Sequence, residues 1–283
     1  MPLHHSRRSF FLQSLILALA FGACKSASKS NAPLVIGVID YDQDESIIHR
    51  YNSFNYYLSS SLKAYIEIEP TFNERKALER IERQAWSMVF APPAIAAIAI
   101  ADFQYLPLFP LQEDVTNLRS ILVVRDDSSI RELKQLKGKT VALGQVGSTT
   151  GYYFPIYNLY GLNLAEVLLA PTPKTILEWV ARNKVTAGAV SSQEFNFYRS
   201  QLSQTEFRIL DTDSHIVPAS SILLAPTIER TYQSQIIEAM SDAPVDVVRA
   251  AGYVPNAPVP NYEYMIAVVE RVRAIAPNLD IVI

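Results

Sequence analysis

From Ala32 onward, short runs of uninterrupted apolar residues alternate with longer amphipathic stretches. Leu34-Val35-Ile36-Gly37-Val38-Ile39 is apolar throughout, the pattern of a strand buried on both faces. Phe54, Tyr57, Leu58 and Leu62 then recur at the spacing that gathers side chains on one side of a helix. Tyr65 to Glu69 reads as a second strand, stopped by Pro70. Ala77, Leu78, Ile81 and Ala85 mark a second amphipathic helix, and Met88-Val89-Phe90 a third strand ended by Pro92-Pro93. Strands alternating with helices imply a parallel α/β sheet.

A second unit of the same kind opens at Ser120-Ile121-Leu122-Val123-Val124. Asp126-Asp127-Ser128-Ser129 offers a helix N-cap, and Leu133 and Leu136 lead to Gly138 as a helix stop. Thr140 to Leu143 is a strand, Gly144 to Gly147 a tight loop, and a helix starts near Thr150. Val167 to Leu169 is a strand. Thr172-Pro173 opens a helix with proline at its first position, where a missing N–H does no harm. Ala187 to Val190 is a strand, and Ser191 with Glu194 fits a capping box. Phe207 to Leu210 closes the unit. Ser220 to Leu224 is expected to return to the first unit, followed by helices at 228–240, 245–251 and 262–275. The predicted organisation is a signal peptide at 1–23, a tether at 24–31, one lobe from 32–122 with 217–283, and a second lobe at 123–216.

The first residues carry a different message. Ser6-Arg7-Arg8-Ser9 is a basic patch before an apolar stretch from Phe10 to Ala23, shorter than the roughly 20 residues a membrane span needs and flanked as a signal peptide is. Paired arginines before Phe10-Phe11-Leu12 resemble a twin-arginine signal; an ordinary secretory signal shares the basic region. Cys24, the one cysteine of the chain, follows Phe21-Gly22-Ala23 and resembles the lipid-modified cysteine of a lipobox. An alternative is cleavage near Ser26-Ala27-Ser28, leaving no anchor. The net charge of −3 argues against a nucleic-acid partner. His49 and His215 are the histidines outside the signal, too few for a zinc site without heavy use of carboxylates. No cofactor or metal is called for.

Gly147-Ser148-Thr149-Thr150-Gly151-Tyr152 lies between a predicted strand and a predicted helix. Hydroxyls and free amides at a helix start make an anion site, and glycine allows close approach. The same residues would equally serve as a helix cap with polar neighbours.

Arg119-Ser120-Ile121-Leu122-Val123-Val124-Arg125, Leu136-Lys137-Gly138-Lys139-Thr140-Val141-Ala142 and Gly147-Ser148-Thr149-Thr150-Gly151-Tyr152-Tyr153-Phe154-Pro155 together resemble one family. It is the phosphonate, phosphite or phosphate-binding periplasmic component of ABC importers, with the two-lobed type II solute-binding fold. Gly37-Val38-Ile39, Met88 to Pro93 and Ala187 to Val190 extend the likeness over most of the chain. The resemblance implies that Ser148, Thr149, Thr150 and Gly151 hold the oxyanion and that Tyr41 contributes from the first lobe. It also marks departures. Ala91-Pro92-Pro93-Ala94-Ile95 lacks the family's glycine and tyrosine, Pro173 stands where many members have histidine, and Thr186 replaces an acidic residue. His215, after Asp211-Thr212-Asp213-Ser214, either supplies the missing donor or is a surface histidine. Glu74 to Arg83, rich in both signs, reads as a solvated helix face.

The mechanism implied is hinge closure. The second lobe grips the ligand, groups near Tyr41 and Ala94 complete the cage, and an ABC permease recognises the closed monomer. Membrane contact is through the lipid anchor alone. Two rival readings stay open: a sensory or accessory lipoprotein that has lost transport, and an enzyme on the same fold, for which neither His49 nor His215 sits in a catalytic motif.

Overall fold

The computed structural model describes residues 33–39, 46–112, 118–215, 217–278 and 281–282. Cys24 and Tyr41 fall outside them.

Two mixed sheets organise these residues. The first has the strand order β2-β1-β3-β10-β4, from β1 (Leu34–Ile39), β2 (Ile66–Thr71), β3 (Met88–Ala91), β4 (Leu106–Pro110) and β10 (Ser221–Leu224). The second has the order β11-β7-β6-β8-β5-β9, from β5 (Ser120–Arg125), β6 (Thr140–Leu143), β7 (Glu166–Leu169), β8 (Ala187–Ser191), β9 (Phe207–Thr212) and β11 (Ile281–Val282). The two-lobed α/β architecture implied by the sequence is therefore present.

The sheets are not wholly parallel, as the alternation of elements suggested. β1 runs parallel to β2 and β3, and β6 parallel to β7 and β8. The strands that follow the two crossings between sheets run the other way: β5 is antiparallel to β8 and β9, and β10 to β3 and β4. A chain that leaves one sheet and comes back re-enters from the opposite end, so no helical crossover is there to impose a parallel strand. The chain then finishes on the second sheet, where β11 pairs with β7.

The strand faces sort by the period of two. Met88 and Phe90 of β3 join one apolar cluster, and Val89 and Ala91 another. Ile121 and Val123 of β5 pack outward on the second sheet, while Leu122 and Val124 enter the cluster that also holds Val89. That shared cluster runs between the sheets. It takes in α3 (Pro93–Phe103), Tyr152, Tyr153 and Phe154, and α9 (Glu263–Ile275).

Helix α1 (Ser46–Leu62) buries Phe54 and Leu58 against Phe90, whose ring meets that of Phe54 edge-on at 5.9 Å. Helix α2 (Glu74–Glu82) starts at Asn73, which accepts a hydrogen bond from the Lys76 amide at 3.0 Å. Helices α5 (Pro173–Ala181) and α6 (Ser192–Arg199) begin with the caps that the sequence signalled. Thr172 Oγ1 accepts from the Thr175 amide at 3.2 Å, and Ser191 and Glu194 bond each other's amides at 3.0 and 2.7 Å. α7 (Arg230–Ser241) and α8 (Val245–Ala251) complete the helices of the first sheet.

Two local expectations need correcting, and a third holds but is incomplete. Pro70 does not stop β2 but lies inside it, opposite Val38; β2 is an edge strand, where a missing N–H leaves no ladder bond broken. Pro92-Pro93 ends β3 but also starts α3, with Pro93 in the first turn. Asp126 to Ser129 caps no helix. It forms a turn in which the Ser128 amide donates to the Arg125 carbonyl at 3.1 Å, and the short 3-10 turn Leu133–Leu136 is held instead by the Glu132 amide donating to Gln135 Oε1 at 3.2 Å.

No helix among the described residues is long and apolar enough to cross a membrane.

Candidate functional site

The hydroxyl-rich segment sits where β6 ends. The Gly144 amide donates to the Gly151 carbonyl at 2.8 Å, and the Ser148 amide to the Gln145 carbonyl at 3.0 Å. Gly147 turns the corner at φ +110°, a backbone state that suits glycine. The following turn, Thr149–Tyr153, is a π-helical one: the Tyr153 amide reaches back to the Ser148 carbonyl at 3.1 Å. It continues directly into α4 (Phe154–Leu159). Such single π turns are uncommon and gather at functional sites.

Ser148, Thr149 and Thr150 are all buried. Ser148 Oγ accepts from the Gly151 amide at 3.1 Å and so caps the turn. The Thr150 carbonyl accepts from Ser120 Oγ at 2.6 Å, tying the turn to β5. The helical ladder leaves the first amides, Thr149 and Thr150 among them, without acceptors of their own, and they form the positive end of the helix.

The first lobe comes down directly on this turn. The Ala94 amide, in the first turn of α3, donates to Thr149 Oγ1 at 2.9 Å. A Cβ built on Gly147 would lie 2.7 Å from Glu74 Cβ, 2.8 Å from Ile95 Cδ1 and 3.3 Å from Leu78 Cδ1. Ser148, Gly151, Gly144 and Gln145 line a cavity of about 10 Å³, closed on the other sides by Glu74, Pro171 to Pro173, Ile176 and Glu194. The interlobe space that the sequence reading placed over the turn is thus narrow in this arrangement, with Ile95 and Leu78 at its edge.

The electrostatics of the cavity run against a simple anion cage. Among the described residues no lysine, arginine or histidine lines it, and two carboxylates do. Glu74 is 4% exposed and turns toward the second lobe from the start of α2; the reading of 74–83 as a solvated face fails at its first residue. Glu194 caps α6, and burial raises its carboxyl above the ordinary pKa of 4.5. The folded chain therefore holds that proton more tightly than the unfolded chain, so stability falls as pH rises from 4.5 through the raised value. Glu194→Gln keeps the capping box and should remove this loss. Its melting temperature should vary less than that of the parent across that window; an unchanged pH profile would show that Glu194 does not carry the effect.

Gln145 was not singled out by the sequence. Its Nε2 donates to the Ala170 carbonyl at 2.9 Å, linking the ends of β6 and β7, while its buried Oε1 has no partner. Pro173, where the family resemblance placed a histidine, lines the same cavity.

His215 lies elsewhere. Its Nδ1 and its amide both meet Asp213 Oδ1, at 2.5 and 2.6 Å, and Asn158 Nδ2 donates to Asp213 Oδ2 at 2.5 Å. The imidazole packs among Phe154, Tyr157 and Tyr264, with ring centroids 5.7 to 5.9 Å away. It lines neither the cavity at the turn nor a second one beside it. That second cavity, about 220 Å³, is bounded by Leu78, Ile98, Val146, Tyr152, Tyr153 and Arg273, and Arg273 is paired with Asp102 at 2.5 Å. No group of three or more histidine, cysteine, aspartate or glutamate side chains that could hold a metal occurs among the described residues.

The fold is shared with several solved proteins. XAC2383 from Xanthomonas citri, solved bound to ATP, superposes with a TM-score of 0.68 at 19% identity, over 86% of this chain and 98% of that one. PhnD1 from Prochlorococcus marinus, in complex with methylphosphonate, gives 0.68 at 17% identity, over 87% and 100%. A binding protein component of an ABC phosphonate transporter from Pseudomonas aeruginosa gives 0.67 at 11% identity, over 85% of each chain. No curated protein sequence matches the chain. Residues 36–253 match the family model described as "ABC transporter, phosphonate, periplasmic substrate-binding protein". The match takes in most of both sheets and the hydroxyl turn, so the chain belongs to the periplasmic substrate-binding proteins of phosphonate ABC transporters, a family of transport components rather than enzymes.

Proposed function

We propose that this protein captures a small tetrahedral phosphorus oxyanion between its lobes and presents it to an ABC permease. The observation that carries the reading is the buried turn at Ser148 to Gly151, which stands at a helix start and meets the first lobe through Ala94. With the lobes apart, the Thr149 hydroxyl, the Ala94 amide and the leading amides of the turn become available to a ligand. When a ligand enters, it replaces the direct Ala94–Thr149 bond with bonds of its own, and closure over it excludes water, which strengthens each of them. Ser148 acts through its cap on the Gly151 amide, Thr150 through its own amide, and Gly151 by leaving room for Ser148 Oγ, from which a Cβ would lie 2.8 Å. Tyr41 is the first-lobe residue that would complete the cage. His215 is better assigned to the crossing between the sheets, where Asp213 and Asn158 orient it, than to the ligand.

Titration calorimetry of the purified protein with phosphate, phosphite, methylphosphonate and 2-aminoethylphosphonate should give heat of binding for at least one. Heat from none of them would favour a second reading, an accessory lipoprotein of the same fold without transport. The packing of Ile95 and Leu78 over Gly147 and the narrow cavity are the features that support this second reading.

The export and anchoring of the chain belong to the same proposal. Residues 1–23 act as the signal, by the twin-arginine or the secretory route, and lipid on Cys24 holds the domain at the membrane through the tether at 24–31. Cys24→Ser should move the protein from the membrane fraction to the soluble periplasmic fraction. A variant that stays with the membrane would refute the anchor.

A further inference from the structure

We infer that Ser120 is a positioning residue for oxyanion capture: its hydroxyl stands in for the amide hydrogen that Pro155 lacks and holds the turn Thr149–Tyr153 in its π-helical register. This rests on the capture reading above and adds to it a residue that acts on the turn and not on the ligand.

The hydrogen bonds of the turn supply the first observation. The Tyr153 amide donates to the Ser148 carbonyl at 3.1 Å, a carbonyl it shares with the Tyr152 amide, and the Phe154 amide donates to the Thr149 carbonyl. The bonds from Tyr153 and Phe154 each reach back five residues, as a π turn requires. The next carbonyl in that series is that of Thr150, and the residue five positions on is Pro155, which has no N–H to give. Thr150 is buried, and a buried carbonyl without a donor is costly. Ser120 Oγ meets it at 2.6 Å.

An α-helical register distributes the same donors differently. Its bonds reach back four residues, so the Phe154 amide would serve the Thr150 carbonyl. The carbonyl deprived by Pro155 would then be that of Gly151, which already accepts from the Gly144 amide at 2.8 Å. The α register therefore needs nothing from Ser120, whereas the π register does. The hydroxyl favours the wider turn over the tighter one.

The fold fixes the donor independently of the turn. Ser120 is the first residue of β5 and is buried. It shares a strand face with Leu122 and Val124, which enter the cluster between the sheets. It stands opposite Ser191 of β8, and its own carbonyl accepts from the Asp213 amide at 2.8 Å. The register held in this way sets where the Thr149 hydroxyl, 2.9 Å from the Ala94 amide, and the leading amides of the turn stand. Tightening the turn by one residue would re-aim all of them.

The test compares the parent, Ser120→Ala, Pro155→Ala and the double variant, by calorimetry with phosphite and methylphosphonate and by backbone amide resonances of the ligand-free labelled proteins. Ser120→Ala should bind about tenfold or more weakly, and its Tyr153 and Phe154 amides, whose acceptors change, should shift furthest. Pro155→Ala offers the Thr150 carbonyl a new amide. The double variant should therefore bind within about threefold of Pro155→Ala and return the Tyr153 and Phe154 resonances toward the parent's, a non-additive pair. Parent-like binding by Ser120→Ala would overturn the inference. So would weaker binding with the Tyr153 and Phe154 resonances unmoved, or a double variant as impaired as Ser120→Ala. If Ser120→Ala fails to fold, a folded double variant supports the exchange of donors and an unfolded one refutes it. Failure of every oxyanion to bind the parent would overturn capture, while the ligand-free resonances would still decide whether Ser120 sets the register.

Discussion

Thr149→Val should abolish oxyanion binding and also loosen the protein. Valine keeps the shape of threonine and removes the oxygen, so the Ala94 amide loses its 2.9 Å acceptor. Both residues are buried, at 0% and 5% exposure, and water does not readily replace the lost partner. An unpaired buried amide costs about 1–3 kcal/mol, which for a domain of this size lowers the melting temperature by roughly 2–4 °C per kcal/mol. Thr149→Ser restores the hydroxyl and should recover most of both effects. Calorimetry and thermal melts on the two variants distinguish this from simple loss of packing. If valine binds as well as threonine, the hydroxyl has no part in capture. If serine melts as low as valine, the Ala94 bond is not what the substitution removed.

Gly37→Ala should destabilise the first lobe far more than an added methyl group usually does. A Cβ on Gly37 would lie 2.1 to 2.4 Å from the Trp86 ring, and Trp86 is fully buried. The indole covers the backbone of β1 where a side chain would otherwise stand. It cannot move aside without opening the packing around Ile81 and Ala77, which are also buried. Overpacking a tight core typically costs about 1–3 kcal/mol and sometimes more. The close range to a rigid ring puts this variant at or above about 3 kcal/mol. Gly37→Ala combined with Trp86→Leu should be less destabilised than the sum of the two single variants, since each relieves the other. Simple additivity in urea unfolding would contradict the contact.

Much of this fold is legible in the sequence because its signals are local. A continuous apolar run, a proline at the first position of a helix and a Ser-x-x-Glu cap each act within a few residues. β1, β8, α5 and α6 accordingly lie close to their expected positions. α3 escapes because its burial on every side leaves no amphipathic stripe, and Pro92-Pro93 reads as punctuation alone. The antiparallel β5 and β10 depend on where the chain crosses between sheets, a non-local fact.

The site divides in the same way. Ser148 to Gly151 stands out by residue type and by its place after a strand. Gln145 and Glu74 do not. Gln145 matters through an oxygen that finds no partner, which only packing reveals. Glu74 begins a helix whose other charges are solvated, and its burial comes from the opposite lobe. Asp213, which orients His215, sits 55 residues from its partner Asn158 and gives no periodic signal.

Whether the turn beginning at Ser148 grips the oxyanion is tested most directly by the movement of backbone amide resonances when phosphite or methylphosphonate is titrated into the labelled protein. The amides of Ala94, Thr149, Thr150 and Gly151 should shift furthest and saturate together. Saturable shifts confined to the Tyr153 and Arg273 cavity, or to residues around His215, would place the ligand elsewhere and contradict capture at the turn.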